Sequence, residues 1–292
     1  MGRFSAWPSA TRNLGELPEP LGAELVQQLA AGEQAECLAY VPADPTAARR
    51  GPWARTRGVQ VLALTDRRLL LGVQAVPADE PRWFACAYDE VVAWELWQNL
   101  LYGHLDLYGG PASRPTHAWM EFNTVGSELI EAALAPLERA ILGVARTWPF
   151  AAHPPAEQEG LPFHFASYLR HMLLPDEVVH ERIIQAAILE PHLRFWQRMV
   201  APPTLIVGTS ARLLVLREEP VTRKARYGHR SFTLPRARAT SLTLRDEADH
   251  MLLEYAPDPT LLRVQLDPAH RPAIQRMLAA LQAPDHAPHL IA

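Results

Sequence analysis

The stretch LALTDRRLLLG (62–72) joins two short apolar runs across a polar kink, and IVGTSARLLVL (206–216) repeats the phrase 144 residues later. Each run is too short for a helix and is rich in residues that fit a buried strand. The phrase reads as a β-hairpin, turning at Thr65-Asp66-Arg67 in one instance and at Thr209-Ser210-Ala211 in the other. Leu70 and Leu214 then occupy equivalent buried strand positions, and Arg68 and Arg212 each open the second strand.

The same offset extends outward from the hairpin. Glu33 precedes Thr65 by as many residues as Glu177 precedes Thr209, and Leu17-Pro18 returns as Leu161-Pro162. Leu21, Leu25 and Leu29 fall on Phe165, Leu169 and Leu173, and Ile130, Leu134 and Leu137 fall on Ile274, Leu278 and Leu281. In the middle the register slips: AYDEVVAWEL (87–96) matches TLPRARATSL (233–242) best at an offset of 146. Self-similarity of this length is the signature of a duplicated unit. The expected organisation is one unit at 1–147, a Pro-rich polar linker at 148–160 and a second unit at 161–292.

Each unit reads the same way. Apolar residues at i, i+4 and i+8 predict a short amphipathic helix, ended in the first unit near Gly32. About seven strands follow; in the first unit they are AECLAYV, VQVLALT, RLLLGVQ, RWFACAY, EVVAWELW, LYGHLDLYG and THAWMEF. Asn123 and Asp267 have N-cap chemistry, and Pro268 suits a first helical turn. A closing amphipathic helix is expected in both units, with Pro136 kinking or ending the first one early. Trp94 and Trp97, three apart on one strand, point to opposite faces.

A leading helix, seven strands around a T-x-x-R-L-L phrase and a closing helix resemble the bacterial pleckstrin-homology-like (PH-like) domains, in tandem. The phrases that carry the resemblance are GEQAECLAYV then LALTDRRLLL, and DEVVHERIIQ then IVGTSARLLVL. It implies an α+β fold in which each unit is a bent, partly open antiparallel barrel plugged by its C-terminal helix. It also implies binding or assembly in place of catalysis.

Composition narrows the function classes. The chain has 292 residues, 48% of them hydrophobic, and a formal net charge of −4. No apolar run is long enough to span a bilayer and no signal-peptide pattern opens the chain, so a cytoplasmic protein is expected. Cys37 and Cys86 cannot build a disulfide framework or a zinc site by themselves and read as buried thiols. No zinc-protease, nucleophile-elbow, phosphate-loop or dinucleotide motif is present, so no catalytic residue, metal ligand or cofactor is assigned. His180 and His192 lie among carboxylates and read as surface polarity. His104 and Asp106 share a strand face, where the carboxylate could orient the imidazole, although no nucleophile is written nearby. Arg68, Arg212, Glu33 and Glu177 are read as structural, the arginines holding the hairpins through carbonyls or a carboxylate.

Charge placement separates the halves. Residues 1–147 carry 12 arginines and 17 acids, whereas 148–292 carry 16 basic residues and 15 acids. From Val221 to Arg245 the chain has no acid but contains Arg223, Lys224, Arg226, Arg230, Arg236, Arg238 and Arg245, and much of it reads as a solvated loop. Two further segments, read as loops between the first and second strands, interleave arginine with tryptophan: Arg49, Arg50 and Trp53, then Arg194, Trp196 and Arg198. These twelve residues, leaving Arg245 aside, are the candidate anion- or partner-binding positions. A protein partner or self-association is expected first, with an anionic lipid surface as the alternative. A small-molecule or hydrolytic pocket in one unit would need convergent polar groups, and nucleic acid is disfavoured by the acidic balance.

Overall fold

The structure, a computed structural model, describes residues 7–11, 13–43, 58–74, 80–110, 116–143, 159–192, 196–218 and 228–283. Both copies of the opening phrase are hairpins. β3 (Val59–Thr65) turns into β4 (Arg68–Gln74), and β12 (Thr204–Thr209) turns into β13 (Arg212–Glu218), all antiparallel. These strands lack polar alternation because both of their faces are covered. Leu62, Leu64, Leu69 and Leu71 face one core, while Val61, Ala63 and Leu70 face another beneath α1 (Leu21–Gln28). In the second half Ile206, Leu213 and Val215 face one core, and Leu205, Val207, Leu214 and Leu216 pack under α4 (Phe163–Met172). A strand buried on both sides has no reason to place polar residues on either.

The fold is α+β, dominated by antiparallel sheets. A short β1 (Ser9–Thr11) lies on β2 (Ala35–Val41), and the sheet continues through β3 and β4 to β5 (Arg82–Ala87). After a 3-10 turn at Tyr88–Glu90 the chain forms β6 (Val91–Asn99), β7 (Gly103–Gly109) and β8 (Thr116–Phe122). The second half follows α4 with β9 (Val179–Gln185), β12, β13 and β14 (Gly228–Pro235), then a 3-10 segment, Arg236–Ser241. It finishes with β15 (Leu242–Glu247), β16 (His250–Tyr255) and β17 (Arg263–Leu266). Between β9 and β12 stands a separate hairpin of β10 (Ile188–His192) and β11 (Trp196–Ala201). Trp196 and Arg198, expected on a loop, therefore lie on a paired strand.

Ladder partners correct the alignment of the middle. Arg68 and Arg212 stand opposite Ala87 and Pro235, which places β5 and β14 at an offset of 148, not 146. The same offset relates Leu96–Leu105 across β6 and β7 to Leu244–Leu253 across β15 and β16.

The closing helices follow the expected pattern. Asn123 and Asp267 side chains accept the main-chain N–H of Val125 and Ala269, starting the last turn before each helix. In the first half the helix breaks at Leu134 into α2 (Ser127–Ala133) and α3 (Ala135–Leu142), with Pro136 in the first turn of α3, where its missing N–H costs nothing. In the second half α5 (Arg271–Gln282) is continuous and buries Ile274, Met277 and Leu281. It lies close on β12: a Cβ at Gly208 would meet Met277 Cγ at 2.5 Å. Leu64 occupies the position 144 residues earlier.

One sheet crosses from half to half. β6 pairs antiparallel with β14 from Trp94↔Thr233 to Asn99↔Gly228, so β8, β7, β6, β14, β13, β12 and β9 form one seven-stranded sheet. Val92 and Ala93 of β6 also enter the second half's core, beside Leu234, Ala239 and Tyr255. The two cores are thus joined by covalent chain, by main-chain hydrogen bonds and by apolar contact. Among the described residues no helix is long and apolar enough to cross a membrane.

Candidate interaction site

The two hairpin arginines are structural anchors. Arg68 donates from Nε to Glu33 Oε1 and from Nη2 to Glu33 Oε2, both at 2.9 Å, and from Nη2 to the Gln28 carbonyl at 2.6 Å. Thr65 donates to Glu33 at 2.7 Å and accepts the N–H groups of Arg67 and Arg68. The second half repeats this knot: Arg212 donates to Glu177 at 3.0 and 2.9 Å and to the Met172 carbonyl, and Thr209 donates to Glu177 at 2.6 Å. Each knot ties the end of a leading helix to the hairpin turn. Hydrogen bonds from Arg68 hold the Glu33 carboxyl at about 2, against the rise that burial would cause. The arginines differ in cover. Arg68 keeps 28% of its side chain exposed, whereas Arg212 is fully buried, with the buried Glu138 of α3 from the first half 3.8 Å away.

Among the described residues, the arginines of the basic stretch are partnered within the molecule. Arg236 donates to the carbonyls of Leu281, Ser210 and Ala283, closing the C-terminus of α5. Arg238 crosses the junction to the carbonyls of Val91 and Asp89. Arg230 lies on β14, 3.6 Å from Glu95 and over the Trp97 ring at 5.8 Å, so it too holds the two halves together. Arg245 pairs with Glu254 at 2.9 Å. From Gly228 onward the stretch is strand and 3-10 helix, which corrects its reading as mostly loop; Arg223, Lys224 and Arg226 lie outside the described residues. So do Arg49, Arg50, Trp53 and Arg194. Arg198 is exposed on β11, and nothing is described of the Trp196 side chain beyond its place on that strand.

His104 and Asp106 do come together, joined by a residue that sequence reading passed over. His104 Nε2 lies 3.0 Å from Asp106 Oδ1, and His117 Nε2 from the neighbouring strand lies 2.5 Å from the same oxygen. Burial alone would raise the Asp106 carboxyl, but the two imidazoles outweigh it and hold it at about 2. His104 stacks on Trp119 and His117 on Tyr108. No serine, threonine or cysteine bonds either ring among the described residues, and no three histidine, cysteine or carboxylate side chains there are grouped to hold a metal ion. His180 is exposed on β9. Cys86 is buried, which pushes its thiol up to about 11 and away from reactivity at neutral pH; Cys37 is only half-buried. Trp94 fills the first half's core, and Trp97 lies on the opposite face against Tyr102.

The junction of the halves leaves a cleft of about 240 Å³ lined in part by Leu96, Glu131, Tyr168, Met172 and His229. Tyr168 stacks on His229 at 3.9 Å, and burial pulls the His229 imidazole down to about 4. Gln98 donates to Glu131 across the lining of the cleft at 3.2 Å.

The sheet edges remain. An edge strand offers a row of main-chain donors and acceptors to any strand that fits it. β6 and β14 have consumed theirs on each other, whereas β5 ends the five-stranded sheet and β15 ends the three-stranded sheet of β15, β16 and β17. Ala85 on β5 and Thr243 on β15 are exposed. Compared with known proteins, the chain matches no family model, no curated protein and no solved structure.

Proposed function

We infer that this chain is a duplicated pair of PH-like units acting as a non-enzymatic binding or scaffold protein, with recognition through sheet edges. The observation that carries this reading is the β6–β14 pairing, in which an edge of one half is recognised by an edge of the other over six residues. Among the described residues β5 and β15, like β1, β8, β9 and β17, end their sheets. Corresponding element order in both halves, and the identical Glu–Thr–Arg knots 144 residues apart, support the duplication. The polar clusters support binding over catalysis, since His104 and His117 are spent on Asp106 and the hairpin arginines on their glutamates. Capture of interacting proteins by the immobilised full chain, compared with variants Ala85→Lys and Thr243→Lys, tests the reading. An edge lysine opposes strand addition, so loss of captured protein in either variant supports it. Capture that ignores both substitutions overturns edge recognition.

A second reading, binding to anionic lipid, is favoured by the β10–β11 hairpin. Leu189 and Met199 stand opposite each other and are both exposed, while Arg198 stands opposite Glu190 at the next position. An exposed apolar pair on a hairpin suits a membrane interface. Binding to phosphatidylserine vesicles that falls steeply with salt, and is lost in Leu189→Ser/Met199→Ser, supports it; no binding at low salt ends it.

A further inference from the structure

A sheet edge satisfied once inside the chain shows what kind of strand satisfies it. Ladder positions identify the counterparts of β6 and β14 in the opposite halves. β5 holds the place of β14: Arg82, Trp83 and Phe84 correspond to Arg230, Ser231 and Phe232, two of the three identical. β15 holds the place of β6, because Leu96, Leu105 and Met120 align across three strands as Leu244, Leu253 and Val264 do. In this molecule β5 and β15 each have a strand on one side only among the described residues, and they end two different sheets.

We propose that β15 of one copy pairs antiparallel with β5 of a second copy, reproducing between molecules the junction that β6 and β14 form within one. The proposal rests on the edge-recognition reading above and names its partner, a second copy of this chain. The transferred register sets Leu242 opposite Ala85, Thr243 opposite Phe84, Leu244 opposite Trp83 and Arg245 opposite Arg82. Thr243 against Phe84 sets a β-branched residue across from an aromatic ring, a combination that stabilises antiparallel pairs, and Leu244 against Trp83 is apolar on both sides. The fourth opposes like charges where the internal junction has Trp97 against Arg230. Arg245 is already paired with Glu254; Glu247 stands diagonal to Arg82 but opposite Glu80, and Pro81, opposite Asp246, has no N–H to give, so the pairing is confined to these four positions. The contact is therefore weaker than the internal one and reversible. It joins two different surfaces, so each added copy leaves one β5 and one β15 open, and the assembly grows head to tail instead of closing as a two-fold dimer.

Sedimentation of the full chain over a range of concentrations tests this with two capping variants. Thr243→Lys blocks the β15 end and Ala85→Lys blocks the β5 end, both at exposed positions. Wild type is expected to pass from monomer through dimer to larger species as concentration rises. Each variant alone should associate at least tenfold more weakly. An equimolar mixture of the two should recover dimers and nothing larger, because one good β15 and one good β5 remain. A wild type that stays monomeric, variants that assemble like wild type, or a mixture that fails to recover dimers overturns the proposal. A monomeric wild type that still captures other proteins through these edges would leave the broader reading standing, whereas edge-independent capture would end that reading by itself.

Discussion

At the scale of single residues, burial decides what a shared motif contributes. Arg68 and Arg212 make the same bonds, yet only Arg212 is sealed from water, with two carboxylates against it. Removing one member of a buried ionic cluster leaves the others uncompensated, at about 3–5 kcal/mol. Arg212→Met should therefore cost about that much in denaturant unfolding. Arg68→Met, whose charge is partly solvated, should cost about 1–2 kcal/mol. Equal losses would show that Glu138 does not contribute. His229 gives a pH test. Its folded imidazole titrates at about 4, below the ordinary value of 6.5, so the unfolded chain binds the extra proton first. The stability it contributes is complete above pH 6.5 and is lost as pH falls through 4. Between pH 7 and 5 wild type should lose about 2 kcal/mol more than His229→Phe, a shift of one unit being about 1.4 kcal/mol. Parallel pH profiles for the two would refute this.

Among the elements, the hairpins are the units on which everything else is laid. Leu70 and Leu214 lie at the same place in each, both fully buried beneath the leading helix. Leu70→Ala and Leu214→Ala should each cost about 2–4 kcal/mol by equilibrium unfolding. Losses under about 1 kcal/mol would mean that the helix collapses onto the vacated space. Strand identity was readable because burial on both faces demands unbroken apolar runs, and four strands of the first half fall on the residues expected. The β10–β11 hairpin was not readable, since its arginines and proline resemble a loop until Glu190, Pro191 and His192 are seen opposite Arg198, Gln197 and Trp196.

For the whole molecule, the junction changes what the halves can do apart. Separate helices and strands suggest that 1–147 and 148–292 could fold alone, but Val92 and Ala93 complete the second core and β6 covers the β14 edge. Each fragment should melt below the full chain, and 148–292 should aggregate through its bared edge. Mixing the fragments should restore part of the lost stability. Fragments as stable as the full chain would show that the junction contributes nothing.

The sequence by itself determined the β3–β4 and β12–β13 hairpins, the leading and closing helices, the early end of the first closing helix before Pro136 and the structural duty of Arg68 and Arg212. Each of these follows from local periodicity, from a turn, or from a spacing kept twice. Tertiary structure decided the rest. That β6 would choose β14, that Glu138 would seal Arg212, that Arg230 and Arg238 would hold the junction, and that His117 would join His104 at Asp106 all depend on contacts between distant segments. Main-chain edges carry no side-chain signature of their partner, so the pairing that unites the halves could be seen only once they were folded.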